Sequence, residues 1–207
     1  QMVLPDNTVV FLNAGSELKY AINNNSDERE VYLTGEAWFD VEKNENQKFI
    51  VHTPYYDVNV FGTEFNVKAY PEDNTVTTTL EEGSIQISST EKFKIQNNQI
   101  LKPGEQLIYN KQANSIELKK VSTRLYSSWK ENKLIFVNMS LGELVVLLER
   151  KYGVEIEVKD KSILDFHYDG TIKNETIIEM LSILQHTLQI HYKIENQKVI
   201  ITKTNSN

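Results

Sequence analysis

Apolar and polar residues alternate along the first 120 positions of this chain, and helical spacing enters only after residue 140. The clearest alternation is Val31-Tyr32-Leu33-Thr34-Gly35-Glu36-Ala37-Trp38-Phe39-Asp40-Val41. Its odd positions are Val, Leu, Gly, Ala, Phe and Val, and its even ones Tyr, Thr, Glu, Trp and Asp. That period of two describes a strand with one face in a core. Shorter strands are predicted at 8–12, 48–53, 57–61, 64–70, 75–80, 84–88, 92–96, 105–109 and 115–121. Pro54, Gly62, Pro71, Gly83, the Asn97-Asn98 pair, Pro103-Gly104 and Asn110 punctuate them, and residues 23–27 read as a turn. Apolar parity changes at Gly62, from Val58 and Val60 to Phe65, Val67 and Ala69, so Gly62-Thr63 is a tight turn or bulge. Many short strands without a helical window predict an all-β domain over residues 1–121, an antiparallel sandwich or a solenoid-like roll.

The second half repeats itself. Ser140-Leu141-Gly142-Glu143-Leu144-Val145-Val146-Leu147-Leu148 returns 36 residues later as Thr176-Ile177-Ile178-Glu179-Met180-Leu181-Ser182-Ile183-Leu184. At the same offset Val154, Ile156 and Val158 match Ile190, Tyr192 and Ile194. Each copy is an amphipathic helix leading into a strand, and a repeat of this length is one supersecondary unit used twice. Ser140 with Glu143, and Thr176 with Glu179, have the spacing of a capping box. Leu141, Leu144, Val145, Leu148 and Tyr152 form the apolar stripe of the first helix, and Gly153 stands where its left-handed C-terminal residue belongs. Ile177, Leu181, Leu184 and Leu188 form the second stripe. With strands at 134–138, 165–172 and 199–202, residues 134–203 read as a small α+β domain of β-α-β followed by β-α-β-β. The polar stretch 122–133 is a linker or short helix in which Trp129 anchors one domain on the other, and 204–207 is a tail.

Charge sharpens the division. Residues 1–120 carry 11 Lys and Arg against 18 Asp and Glu, and the remainder carries 11 of each, so the whole deficit of −7 belongs to the first domain. Such a balance gives no basic patch for nucleic acid. The absence of cysteine removes disulfides, thiolate metal sites and a cysteine nucleophile. There is no apolar run of membrane-spanning length and no signal-peptide pattern. A start at Gln1, on the way into a strand, reads as a fragment lacking its natural N-terminal part.

Candidate chemistry is sparse. His52, His167, His186 and His191 are scattered, and the last two are five apart rather than the four that aligns two ligands on a helix. Nucleotide-binding glycine loops and a nucleophile elbow are both missing, so no catalytic residue, cofactor or metal is assigned. Tyr32, Glu36, Trp38 and Asp40 share one strand face, an aromatic and carboxylate stripe of the kind that grips sugars. Four residues along a strand separate Glu36 and Asp40 by roughly 13 Å, whereas paired glycosidase carboxylates lie about 5 to 9.5 Å apart. The alternative reading is therefore a non-catalytic carbohydrate-binding module using the Tyr32/Trp38 face.

A family resemblance runs through the chain. Leu4-Pro5-Asp6-Asn7-Thr8-Val9-Val10-Phe11-Leu12-Asn13, Gly35-Glu36-Ala37-Trp38-Phe39-Asp40-Val41, Phe49-Ile50-Val51, Phe61-Gly62-Thr63-Glu64-Phe65-Asn66-Val67, Glu82-Gly83-Ser84-Ile85 and Leu101-Lys102-Pro103-Gly104-Glu105-Gln106 carry it. They resemble the periplasmic β domain of the ferric-citrate regulator (FecR) family of transmembrane anti-sigma factors. Residues 129–203, opening with Trp129-Lys130-Glu131-Asn132-Lys133-Leu134-Ile135-Phe136, are similar to the C-terminal domain of Bacteroidetes members and to the secretin/TonB short N-terminal signalling fold. The resemblance implies a receiver anchored in the inner membrane. Its periplasmic part would contact the signalling domain of an outer-membrane TonB-dependent transducer, and a cytoplasmic segment missing here would bind an extracytoplasmic-function sigma factor. The membrane would be met only through a missing transmembrane helix. For the transducer contact, the last strand, Lys198-Val199-Ile200-Ile201-Thr202-Lys203, is the expected edge, its lysines guarding it against indiscriminate pairing.

Overall fold

The structure, a computed structural model, describes residues 1–20, 28–90, 99–188, 190–196 and 198–204. The turn expected at 23–27 and the strand expected at 92–96 lie outside the described residues, as does nearly all of the tail. The chain divides into two units, Gln1–Lys130 and Glu131–Asn207.

The first unit contains β1 (Met2–Val3), β2 (Val9–Leu12), β3 (Glu17–Tyr20), β4 (Glu28–Asp40), β5 (Lys48–His52) and β6 (Tyr56–Val60). It continues through β7 (Glu64–Ala69), β8 (Thr75–Glu82), β9 (Ile85–Ser89), β10 (Gln99–Leu101), β11 (Glu105–Asn110) and β12 (Ser115–Lys120). The long strand β4 organises the rest. Its residues 28–34 pair with β3 on one side and, in parallel, with β5 on the other, whereas residues 35–40 pair with β2 and β7. The changeover falls at Gly35, whose φ is +102° and where a Cβ would lie 2.3 Å from Ser16 Oγ. Only glycine adopts that backbone without strain. Ser16 Oγ then accepts the Glu36 N–H at 2.8 Å, fixing the crossing point.

One curled sheet results, a half-barrel in the order β10-β9-β6-β5-β4-β7-β8-β11-β12, with β1 beside β2. Among the described strands of this unit only β4–β5 is a parallel pair. The alternation read from the sequence is the inner face: Val31, Leu33, Ala37 and Phe39 are each at most 2 % exposed. Phe39 stacks on Phe65 at 5.1 Å and meets Phe49 edge-on at 6.2 Å. The Tyr56 hydroxyl and Thr78 Oγ1 share a hydrogen bond of 2.9 Å, tying β6 to β8 inside the core, and burial pushes that phenol well above its ordinary range. At the Gly62 parity change the β7–β8 register slips between Glu64 and Phe65, so the irregularity is a bulge immediately after the glycine. Strands β1, β3 and β10 escape sequence reading because they bury little: Leu101 is the only buried residue among them. Beyond β12 come α1 (Arg124–Ser127) and a 3-10 turn (Ser128–Glu131), so residues 122–130 of the expected linker belong to the first unit.

The second unit runs β13 (Leu134–Ser140), α2 (Leu141–Tyr152), β14 (Glu155–Val158), β15 (His167–Ile172), α3 (Ile177–Thr187), β16 (Ile190–Glu195) and β17 (Lys198–Lys203). Both capping boxes form. Ser140 Oγ accepts the Glu143 N–H at 3.2 Å while Glu143 accepts the Ser140 N–H at 2.9 Å. Thr176 and Glu179 do the same at 3.3 and 2.7 Å. Gly153 ends α2 in the left-handed conformation, φ 64°. The buried stripes are Leu141, Leu144, Val145 and Leu148 on α2, and Met180, Leu181 and Leu184 on α3. Tyr152 is half-buried, with its hydroxyl donating to the Glu175 carbonyl at 2.7 Å.

The repeat explains the sheets. The strands that precede the two helices, β13 and β15, pair antiparallel with each other. The strands that follow them, β14 and β16, flank β17, parallel on one side and antiparallel on the other. This corrects the edge expected at Lys198–Lys203. Both flanks of β17 are already bonded, and Val199 and Ile201 are 3 % and 0 % exposed. The last strand in sequence is the middle strand of its sheet, because the gap between two equivalent strands is where its apolar residues are covered.

Candidate functional site

The outward row of β4 is where the sequence places its sharpest chemistry, and the structure separates that row into two settings. Tyr32, before the crossover, is half exposed and stacks on His52 with ring centroids 4.7 Å apart. His52 Nδ1 lies 2.8 Å from Asp57 Oδ1, and its Nε2 faces Glu30 at 3.7 Å. Trp38, after the crossover, is 5 % exposed. Its indole N–H donates to Glu81 Oε2 at 3.2 Å, Phe11 packs edge-on at 5.8 Å, and Lys130 Nζ sits 3.3 Å from the ring centroid. Lys130 also reaches Glu81 Oε2 at 3.5 Å. A ring capped by an ammonium offers no face to a sugar. The open Tyr32/Trp38 platform expected for a carbohydrate-binding module is therefore not formed.

Glu36 is equally committed. Its Oε1 accepts Asn66 Nδ2 at 2.9 Å and its Oε2 accepts Asn13 Nδ2 at 2.8 Å. Asn66 is 2 % exposed and turns its Oδ1 toward Trp129, whose indole N–H donates at 3.1 Å. The expected anchor thus fastens residues 124–130 to β7 of their own unit. Sequence reasoning missed Asn66 and Lys130 here; the signal was an aromatic-lysine pair in an otherwise polar stretch.

At the far end of this face Asp40 stands opposite Glu64, and Glu64 opposite Glu82. Like charges paired across strands repel. Burial first, then Asp40 and the neighbouring Glu82 and Glu81, raise the Glu64 carboxyl above its ordinary range, and Lys130 pulls it back. Lys130 therefore brings positive charge to a place the sheet itself makes acidic.

The remaining histidines do not converge. His167 borders a shallow hollow with Asp165, Phe166, Tyr168, Thr187 and Leu188. His186 contacts the Ser182 carbonyl at 2.7 Å, and His191 is exposed on β16. Among the described residues no group of three or more His, Asp or Glu is placed to hold a metal, and no helix is long and apolar enough to cross a membrane.

The two flanks of the three-stranded sheet in the second unit differ in character. Among the described residues β14 and β16 each pair on one side alone. Glu155 and Glu157 of β14 are tied to Lys198 at 2.6 and 3.0 Å, and Lys159 pairs with Glu157, making a charged rail. The β16 flank carries the Lys193–Glu195 pair at 2.8 Å and the half-exposed Ile194.

The chain thus joins a half-barrel whose long strand crosses over at Gly35 to a twofold β-α-β repeat closed by an inserted strand. The FecR protein family matches residues 1–86, and the family FecR, C-terminal, matches residues 133–201. Two crystal structures of a candidate anti-sigma factor from Parabacteroides distasonis, at 1.65 and 2.50 Å resolution, superpose with TM-scores of 0.88 and 0.86. Each is 33% identical in sequence, with 99% of this chain and 94% of the other covered. No curated protein matches. The chain belongs to the FecR family.

Proposed function

We propose that this chain is the periplasmic signal-receiving region of an anti-sigma regulator anchored in the inner membrane. It takes a signal from an outer-membrane TonB-dependent transducer and passes it toward an extracytoplasmic-function sigma factor held by a cytoplasmic segment. The observation that carries this reading is the likeness along 99% of the chain to a candidate anti-sigma factor at 33% identity. Local geometry agrees. Glu36, Trp38 and Asn66, the polar and aromatic groups on the outer face of β4 and β7, are bound to one another or to residues 129 and 130, an arrangement that holds a fold together.

The second unit is the receiver. Its β16 flank offers main-chain groups to an added strand, with Ile194 as the side chain such a strand would cover. β17 joins through its outward side chains, Lys198, Ile200 and Thr202, because its main chain is already paired. Calorimetric titration of the full chain with the signalling domain of the transducer encoded beside it tests the reading. A dissociation constant in the micromolar range or tighter is expected. Absence of heat, together with absence of co-elution, would remove the direct-contact receiver.

A further inference from the structure

We propose that residues 124–130 form a releasable strap, which opens from the outer face of β4 and β7 while the half-barrel stays folded. Its attachment is polar and local. None of its side chains belongs to the apolar core, whether fully or partly buried. Leu125, Tyr126 and Trp129 are only half-buried, and the helix α1 is four residues long with no side-chain bond at its N-cap. Ser128 Oγ is buried without a hydrogen-bond partner, which weakens the closed state. Three tethers act in the other direction: the Trp129 N–H on Asn66 Oδ1, the Lys130 ammonium over Trp38, and the Lys130–Glu81 ion pair.

The surface beneath is built to survive without the strap. Asn66 keeps its bond to Glu36, Glu36 keeps Asn13, and Trp38 keeps Glu81 and Phe11. Opening hydrates Asn66 Oδ1 and one face of Trp38, and leaves the Phe39–Phe65–Phe49 stack untouched. The cost is therefore that of the three tethers to Asn66, Trp38 and Glu81 and of the half-buried side chains of Leu125, Tyr126 and Trp129, below the cost of unfolding the core. Segments held in this way open locally, with free energies far below the global value.

The strap's place in the chain gives the opening a consequence. Lys130 is the last residue of the first unit and Glu131 the first of the second. Along the backbone the strap is therefore the part of the first unit that directly adjoins the second. Once open, the face presents Trp38 beside Glu81, Glu64 and Asp40 with their counter-charge withdrawn. This device extends the receiver reading and does not depend on it.

Amide hydrogen exchange on the full chain tests the strap directly. In the unaltered protein the amides of 124–130 should exchange at least about 100-fold faster than those of β7 and β8, as expected for a sub-global opening. Trp129→Phe removes the indole N–H and keeps most of the ring, and Lys130→Gln removes the charge. Each should speed strap exchange roughly 2- to 10-fold, the worth of one polar tether, and leave β7 and β8 unchanged. If strap and sheet amides exchange at one common rate, or accelerate together in either variant, the strap is an integral part of the half-barrel and the proposal falls. The measurement on the unaltered chain decides even if a variant misfolds.

Discussion

Glu64 shows how much one residue's surroundings matter. Its carboxyl sits between Asp40 and Glu82 on adjacent strands. Burial, followed by those neighbours, raises its affinity for a proton in the folded state. The folded protein therefore holds the proton more tightly than the unfolded chain. Stability from this group is fully present below the ordinary carboxyl value of 4.5 and is lost as pH rises through the higher folded value. Glu64→Gln keeps the shape and removes the titration. Its thermal midpoint, relative to the unaltered protein, should improve as pH goes from 4 to 7, and a difference that stays flat over that range would contradict the argument. The inward and outward parity of β4 was plain from the sequence, and with it the row Tyr32, Glu36, Trp38, Asp40. What covers that row was not. Asn66 and Lys130 lie 28 and 92 positions from Trp38, and alternation carries no information about contacts at that range.

At the scale of elements, the chain announced its helices better than its sheet order. Both capping boxes were legible because the residues that form them are three apart, within reach of purely local geometry. They also support a prediction. The hydroxyl of Ser140 or Thr176 satisfies an amide that no other helical group can reach, so Ser140→Ala and Thr176→Ala should each cost about 1 kcal/mol. Urea unfolding of the full chain followed by helical circular dichroism checks this, since α2 and α3 are the two long helices among the described residues. Loss of equal size from both variants would show that the two copies of the repeat use their caps equally; no loss from either would mean that solvent serves the amides as well. Strand order was harder to read. β17 has the alternation of any half-buried strand, and its two lysines mimic a guarded edge. In the fold Lys198 instead serves the rail on β14, bonding Glu155 and Glu157. Whether a strand is central depends on partners that its own residues do not specify.

For the molecule as a whole, charge and exposure distribute the work between the units. The first carries most of the acidic excess, 13 Lys and Arg against 18 Asp and Glu, and encloses Phe39, Phe49, Tyr56, Phe65 and Tyr109 in one core, whereas the second has 9 against 11 and leaves Ile194 half exposed on an unpaired flank. If the transducer is received by the second unit, disturbing that flank should matter and disturbing the exposed aromatic of the first should not. Ile194→Lys introduces a charge where an added strand would bury an apolar side chain, and the lost burial together with the desolvation cost should weaken binding by at least about 10-fold. Tyr32→Ala removes the half-exposed ring that stacks on His52 and should leave the affinity for the transducer domain unchanged. The two variants, titrated side by side in the full chain, locate the contact. Weakening by Ile194→Lys alone assigns it to the β16 flank. Weakening by Tyr32→Ala alone moves the receiving surface onto the half-barrel, where the row of Lys19, Tyr32, His52 and Asp57 across β3, β4, β5 and β6 becomes the surface to map.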